Sequence, residues 1–220
     1  EAALADETVE VEVKATGLNF RDVMYLMGLL PDEAVEKGFA GASLGLEFAG
    51  IVRRVGARVR DFRPGDKVMG FGSACFASHV VTSASAVARM PEEWSFESAA
   101  TVPTVFFTVY YALKHLADLQ PGERVLIHGG AGGVGIAAIQ FAKHLGAEVF
   151  ATAGSEEKRD FVRLLGADHV FDSRSLGFAD DILAATHGEG VDVVLNSLAG
   201  EAIRRNLAVL KPFGRFLELG

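Results

Sequence analysis

A glycine-rich segment in the middle of the chain has the residue types and spacing of a phosphate-binding loop. The apolar run Arg124–His128 is followed by Gly130, Gly132 and Gly135, which fit the pattern G-x-G-x-x-G. Glycines permit a tight turn and a close approach of the backbone to a pyrophosphate, and a following helix N-terminus offers N–H donors. Because a strand pattern precedes the glycines and a helix pattern follows, we predict a dinucleotide site rather than a turn without a ligand. Its predicted contacts are Gly130, Ala131, Gly132, Gly133, Val134 and Gly135.

The residues after the next strand pattern bear on the choice between the two nicotinamide cofactors. NAD enzymes usually place Asp or Glu at the end of this strand, where the carboxylate binds the ribose 2′-hydroxyl. Here the strand ends in small neutral residues and Ser155, and Lys158 and Arg159 follow. Cations without an acid favour a 2′-phosphate, so the predicted cofactor is NADPH. The alternative is that both cations belong to a solvated first helical turn, beside Glu156 and Glu157.

These motifs lie in a region where strand and helix patterns alternate, which is typical of βαβ units and a parallel sheet. Glycines at 146, 166 and 188 mark helix C-termini. Two further helices, Phe96–Ala100 and Val105–Ala117, are predicted before the first strand. The predicted strands are Arg124–His128, Glu148–Thr152, His169–Phe171, Val191–Asn196 and Arg215–Leu219, and the predicted helices are Val134–Leu145, Ser155–Leu165, Phe178–Thr186 and Gly200–Val209.

The first part of the chain is rich in strand patterns instead. Apolar residues alternate with charged ones over Thr8–Gly17, the period of a half-buried strand. Further short apolar runs at Phe48–Val55, Lys67–Phe71 and His79–Val87 are separated by glycine and proline turn signals. The spacing predicts a small β-barrel that carries one short helix, Asn19–Gly28.

The composition argues against several other functions. The net charge of -8, without a run of Lys or Arg, disfavours a nucleic-acid or anionic-membrane surface. The single cysteine, Cys75, excludes an intrachain disulfide and is compatible with a reducing cytoplasm, which we take as the predicted location. No apolar stretch reaches the length of about 18 residues that a membrane span needs. The last residues, Arg215–Leu219, form a strand pattern, which suggests a fragment of a longer polypeptide.

The order of these features resembles the medium-chain dehydrogenase/reductase superfamily. Within it, the stretches GLNFRDV at 17–23 and VDVVLNSLAG at 191–200 resemble the enoyl reductases of polyketide synthases and animal fatty acid synthases. The resemblance implies an α/β protein with a GroES-like substrate-binding β-barrel over residues 1–95, partly missing, and a Rossmann NADPH-binding domain over residues 96–220. It also implies an acyl carrier protein bearing an enoyl-phosphopantetheine substrate, and other synthase domains, as partners. A homodimer through strand 215–219 is a further expectation.

The resemblance also assigns roles to individual residues. Asn19 and the pair Leu46-Glu47 stand where zinc-dependent relatives have ligands, which implies a reductase without catalytic zinc. Lys158 and Asp180 match the proposed acid/base pair, although Lys158 also suits the 2′-phosphate, the role we favour because it follows the second strand. Asn19 matches a residue beside the substrate carbonyl, and it is equally suited to cap the helix that follows.

The remaining predicted cofactor contacts form two groups, of which the second comes from the resemblance. One group would assist Lys158 at the 2′-phosphate, and a second would border the nicotinamide and its ribose. The first group is Ser155, Ser173 and Arg174, and the second is Thr108, Asn196, Ser197 and Leu198. Two other functions stay open: a free-standing NADPH:quinone oxidoreductase, and a non-catalytic relative that binds NADPH.

Overall fold

The structure is a computed structural model that describes residues 3–219, and it divides into two units that meet in sequence between Thr104 and Val105. This border lies later than the predicted one between residues 95 and 96. The physical reason is the helix Phe96–Ala100, which packs on the antiparallel sheet of the first unit. Ala99 and Ala100 are buried there against Ala49.

The first unit is built on one five-stranded antiparallel sheet. Its strands are β1 (Thr8–Thr16), β2 (Glu47–Val55), β3 (Lys67–Phe71), β4 (His79–Ser83) and β5 (Val87–Arg89), and its helices are α1 (Phe20–Leu26), α2 (Asp32–Glu36) and α3 (Phe96–Ala100). The spatial order is β4-β1-β2-β3-β5. The period of two in β1 has the predicted effect, because Val9 and Val11 are buried while Glu10 and Glu12 pair with arginines of β2.

Two local predictions for this unit were wrong. The predicted strand His79–Val87 is interrupted by a 3₁₀ turn at Ala84–Ala86, which Ser83 caps by accepting a hydrogen bond from the N–H of Ser85. This side-chain cap offers the backbone an alternative to the sheet ladder. Helix α2 was not predicted, because Asp32–Glu36 is short and none of its residues is buried.

The second unit is a parallel sheet covered by helices. Its strands are β6 (Arg124–Ile127), β7 (Glu148–Ala153), β8 (His169–Asp172), β9 (Val191–Asn196) and β10 (Leu210–Glu218), and its helices are α5 (Gly133–His144), α6 (Glu156–Leu164), α7 (Phe178–Ala185) and α8 (Glu201–Val209). The order is β10-β9-β6-β7-β8, with every pair parallel. Helix α4 (Pro103–Val109) precedes the sheet. The predicted α/β class, with a Rossmann-type sheet and a separate β-unit, is confirmed.

Alternate residues of the central strand face the two sides of this sheet. Val125 and Ile127 belong to one apolar cluster with residues of α5 and α6, whereas Leu126 belongs to another with residues of α7 and α8. Helices α5 and α6 therefore cover one face, and α7 and α8 cover the other. The predicted glycine caps are confirmed at Gly146 and Gly166, which directly follow the C-caps of α5 and α6 with positive φ. After α7, His187 is the first residue with positive φ, and Gly188 follows it.

Two predictions for this unit needed correction. The helix predicted over Val105–Ala117 is α4 followed by a π-helical stretch, Tyr110–Leu116. The last strand is longer than the predicted Arg215–Leu219: β10 begins at Leu210, directly after α8. Its pairing with β9 shifts register between Leu210 and Arg215. In the described part of the chain, no helix has the length and hydropathy needed to cross a bilayer.

Candidate nucleotide-binding site

The predicted glycine loop joins β6 to the N-terminus of α5. Gly129 has a φ of +64°, which favours glycine, and Gly132 is the N-cap of the helix. A Cβ on Gly135 would lie 2.2 Å from the carbonyl oxygen of Gly129, so the first turn of α5 packs directly on the loop backbone. The N–H groups of a first helical turn have no acceptor within their own helix, and here they begin at the loop. This arrangement fits a pyrophosphate.

Two other loop glycines are held in close surroundings. A Cβ on Gly130 would lie 3.2 Å from a methyl carbon of Val162, and one on Gly132 would lie 3.2 Å from the Gly129 oxygen. Ala131 and Val134 are half-buried against the core of this unit. The loop is therefore anchored on its protein side, and Gly132 and Gly133 are exposed on the other.

The carboxyl ends of β7 and β8 bring together the residues predicted for the 2′-phosphate. A Cβ on Gly154 would lie 3.3 Å from Arg174 Nε and 3.5 Å from Ser173 Oγ. Ser155 caps α6 by accepting a hydrogen bond of 3.4 Å from the N–H of Lys158. Lys158 and Arg174 are both exposed. Strand β7 ends without an acid, whereas β8 ends on Asp172, which accepts a hydrogen bond from the Arg174 N–H.

Arg159, which the sequence did not separate from Lys158, has a different role. Its side chain is only 17% exposed and pairs with Glu156 and, at 3.6 Å, with Asp172. It also donates a hydrogen bond to the Ala153 carbonyl oxygen. These contacts hold the end of β7 to that of β8, which leaves Lys158 as the exposed cation of the pair.

The predicted acid/base pair is divided between two helices on opposite faces of the sheet. Lys158 lies in the first turn of α6 and Asp180 in the first turn of α7. Asp180 is exposed and forms an ion pair of 3.6 Å with Arg205 of α8. Among the described residues, no hydrogen bond or ion pair joins Lys158 to Asp180. Their joint acid/base role stays a prediction.

The turn after β9 is held by a buried side chain. Asn196 Oδ1 accepts from the Leu198 N–H at 3.1 Å and from Asn206 Nδ2 at 2.8 Å. Its Nδ2 donates to the Leu198 carbonyl at 2.7 Å and to Glu218 at 2.8 Å. An asparagine side chain has two acceptor and two donor positions, and all four are occupied. Any cofactor contact of this turn therefore comes from its backbone or from residues 197 and 198.

His128 belongs to the same polar cluster. Its ring is 4% exposed and packs edge-on against Phe178. Nδ1 lies 2.9 Å from Thr152 Oγ1, and Nε2 lies 2.6 Å from Asn206 Oδ1. Burial lowers the pKa of His128, although its hydrogen bond to Asn206 acts in the opposite direction. The ring is therefore neutral near pH 7.

Thr108 lies on the side of the glycine loop formed by α4. Val105, one turn earlier in that helix, packs in the same apolar cluster as Ala131 and Val134. A Cβ on Gly133 would lie 3.5 Å from Val105, an ordinary contact. Residues three apart share a helix face, so Thr108 lies on the same face of α4 as Val105, the face that packs beside the glycine loop.

In the first unit, Asn19 has the predicted N-cap position of α1. Its backbone N–H donates to Asp22, and its side-chain Nδ2 donates to Glu47 Oε1 at 2.9 Å. Glu47 is buried, and its other oxygen accepts from the Thr104 N–H at 2.9 Å. Gly17 gives this carboxylate room, since a Cβ there would lie 2.4 Å from it. Within residues 3–219, no cluster of three or more His, Cys, Asp or Glu could hold a metal ion.

Two family models and many known proteins match this sequence. Residues 5–92 match the alcohol dehydrogenase GroES-like domain, and residues 133–220 match the zinc-binding dehydrogenase domain. The crystal structure of the CurK enoyl reductase superposes with a TM-score of 0.93 at 47% identity, covering 100% of this chain and 68% of that one. The chain belongs to the enoyl reductase family, within the medium-chain dehydrogenases/reductases.

Two further proteins are similar to this enoyl reductase chain. It is 49% identical over 219 residues, 99% of its length, to a highly reducing polyketide synthase of Didymella fabae, of which it spans 11%. It is 34% identical to the quinone oxidoreductase of Escherichia coli complexed with NADPH, with a TM-score of 0.85 over 100% of this chain and 67% of that one. Relatives of this kind bind a nicotinamide cofactor.

Proposed function

We propose that this chain binds NADPH and reduces the α,β double bond of an enoyl thioester during polyketide chain elongation. The observation that supports the reaction is the close similarity, over the whole chain, to an enoyl reductase. The preference for NADPH is supported by β7, which ends without an acid, and by the exposed cations Lys158 and Arg174, which follow β7 and β8. The resemblance to polyketide synthases supports an acyl carrier protein and other synthase domains as partners, and a cytoplasmic location.

NADPH, when bound, supplies the hydride. The residues of the glycine loop, 130–135, would bind its pyrophosphate through backbone N–H groups. Lys158, Ser155, Ser173 and Arg174 would hold the 2′-phosphate. Thr108, Ser197 and Leu198 would border the nicotinamide and its ribose, while Asn196 keeps the turn in place.

The reaction adds the hydride to the β-carbon and moves an electron pair onto the thioester oxygen, and a proton then joins the α-carbon. Hydrogen-bond donors near that oxygen would stabilise the developing enolate. Asn19 donates one Nδ2 hydrogen to Glu47 and retains a second, which we assign to this oxygen. The same position carries a zinc ligand in metal-dependent relatives, so we propose a reaction without zinc. The α-carbon proton would come from water or from the Lys158 and Asp180 groups.

Steady-state turnover of the purified protein tests this proposal. NADPH consumption should be measured with a crotonyl thioester and, separately, with a quinone. We expect oxidation of NADPH with the thioester and none with the quinone. Turnover of the quinone alone would support the oxidoreductase alternative. Tight NADPH binding without turnover of either acceptor would indicate a binding protein and overturn both enzyme functions.

A further inference from the structure

We infer that His128 is a positioning residue that, through Asn206 and Asn196, fixes the turn at residues 197 and 198 against the glycine loop. This inference rests on the proposed function only in assuming that the turn borders the nicotinamide. His128 directly follows β6, Asn206 lies in α8 and Asn196 ends β9, and all three are buried.

The direction of every hydrogen bond in this cluster follows from the backbone of the turn. The Leu198 N–H can only donate and the Leu198 carbonyl can only accept, so they determine which end of the Asn196 amide faces each of them. Asn196 Oδ1 therefore accepts from Asn206, which must present its Nδ2 there and its Oδ1 to His128. His128 Nε2 consequently carries the proton, and Nδ1 accepts from the Thr152 hydroxyl.

The cluster connects the two strand ends that flank the cofactor site. His128 lies between β6 and Gly129, and its backbone N–H donates a hydrogen bond of 3.1 Å to the Leu195 carbonyl oxygen of β9. Across the same gap, a Cβ on Gly129 would lie 3.4 Å from Ser197 Oγ. Moving the Asn196 turn would therefore change the position of Ser197 relative to the loop.

Loss of the imidazole would remove the hydrogen bond that fixes the orientation of the Asn206 amide. Without His128 Nε2, the Asn206 carbonyl oxygen has no donor, and a rotated Asn206 amide would point oxygen toward Asn196 Oδ1. A buried polar group without a partner costs enough to repopulate other side-chain orientations. The effect should be larger on the nicotinamide side of the site, because the Asn206 and Asn196 amides connect the ring directly to the turn after β9. Toward the 2′-phosphate residues the ring has only its contact with the Thr152 hydroxyl of β7.

Two ligands separate this local effect from a general loss of structure. NADPH has a nicotinamide riboside, whereas 2′,5′-ADP has the 2′-phosphate and adenosine but lacks that riboside. We expect His128→Phe to raise the NADPH dissociation constant about tenfold, from buried groups left unpaired, and to leave that of 2′,5′-ADP within about twofold. Asn206→Leu, which breaks the next link, should give the same selective loss. His128→Gln should recover most of the affinity, since its amide can donate to Asn206.

The control is His144→Gln, an exposed histidine at the end of α5, which should bind both ligands as the wild type does. Equal weakening of both ligands in the His128 and Asn206 variants, or no weakening, would overturn the inference. If these variants do not fold, ¹⁵N NMR of the wild-type histidine rings decides: the Nε2–H tautomer at His128 supports the inference and the Nδ1–H tautomer refutes it. A wild type that binds NADPH but reduces no thioester would refute only the proposed function.

Discussion

The two pairs of strand ends in the parallel sheet use polar groups in opposite ways. At the ends of β6 and β9, the side chains of His128, Asn206 and Asn196 are buried and hydrogen-bonded to one another. At the ends of β7 and β8, Lys158 and Arg174 are exposed to solvent. Buried neutral networks hold geometry, because each unpaired group is costly, whereas exposed charges attract an anion with little restraint on its position.

This difference assigns different tasks to the two ends. The buried end should determine where the nicotinamide lies. The exposed end should determine which cofactor binds and with what affinity. Salt screens interactions between exposed charges much more than interactions between buried groups. The two ends should therefore respond differently to substitution, ionic strength and pH.

The largest effect is expected in the loop at the buried end. A Cβ on Gly135 would meet the Gly129 oxygen at 2.2 Å, so Gly135→Ala must displace the loop from the helix. Overpacking of this kind costs about 3 kcal/mol, so NADPH affinity should fall about a hundredfold. Fluorescence titration with NADPH measures the affinity. Gly72→Ala is the control, because its Cβ would make ordinary contacts of 3.4 and 3.5 Å and Gly72 lies outside the loop. Equal losses in both variants would contradict the proposed role of the close packing at Gly135.

A smaller, cofactor-specific effect is expected at the exposed end. Arg174→Ala and Lys158→Ala should each raise the KM for NADPH about 30-fold, the value of a hydrogen bond between charged groups, and leave that for NADH unchanged. The dependence of NADPH binding on salt should also weaken in both variants. Arg204→Ala, an exposed cation on α8, is the control. An equal rise for both cofactors would show that these cations do not read the 2′-phosphate.

The buried cluster of the first unit should behave like the buried end of the sheet. Asn19→Ala removes an N-cap residue and the donor to the buried Glu47, so the free energy of unfolding should fall by about 2 kcal/mol. Denaturant unfolding measures this fall at low and at high salt, and it should be the same in both. Asn19→Ser keeps a capping residue and should recover about 1 kcal/mol. A loss that disappears in high salt would contradict the comparison.

The smallest effect is expected at the amino ends of the same strands, away from the cofactor loop. Burial raises the pKa of Asp192, but the Arg124 N–H and the Lys211 ammonium lower it more, so the net pKa lies below its usual value. A depressed folded-state pKa stabilises the protein above the unfolded pKa of about 3.9, and this stability is lost as the pH falls through the folded value. The free energy of unfolding of Asp192→Asn should therefore be about 1 kcal/mol below that of the wild type at neutral pH. On acidification it should fall less than that of the wild type.

Thermal unfolding between neutral and acidic pH measures this difference, with the exposed Asp32→Asn as control. NADPH affinity at neutral pH should be unchanged in both variants. A change in NADPH affinity for Asp192→Asn would show that the two ends of the strands are coupled, and the division of tasks would need revision.

Much of the second unit could be predicted because its signals are local. The alternation of apolar strands with amphipathic helices, the helix-ending glycines and the spacing of Gly130, Gly132 and Gly135 all lie within short stretches of sequence. Element ends were less predictable where side chains compete with the backbone, as at Ser83, or where a strand follows a helix without a loop, as at Leu210. Ser173 and Arg174 lie near Gly154 because the ends of neighbouring parallel strands meet, and their contact with a 2′-phosphate stays a prediction.

The amino-acid sequence by itself determined the fold class, the glycine loop and the absence of an acid at the end of the second strand. Only the tertiary structure distinguished Lys158 from Arg159, since Arg159 forms an ion pair with Asp172, which lies on another strand. Only the tertiary structure joined His128 to Asn206, which follows 78 residues later. Local patterns follow from backbone propensity and apolar periodicity, which short segments express. The partner of a buried polar group depends on which distant segments pack together, and no local pattern records that.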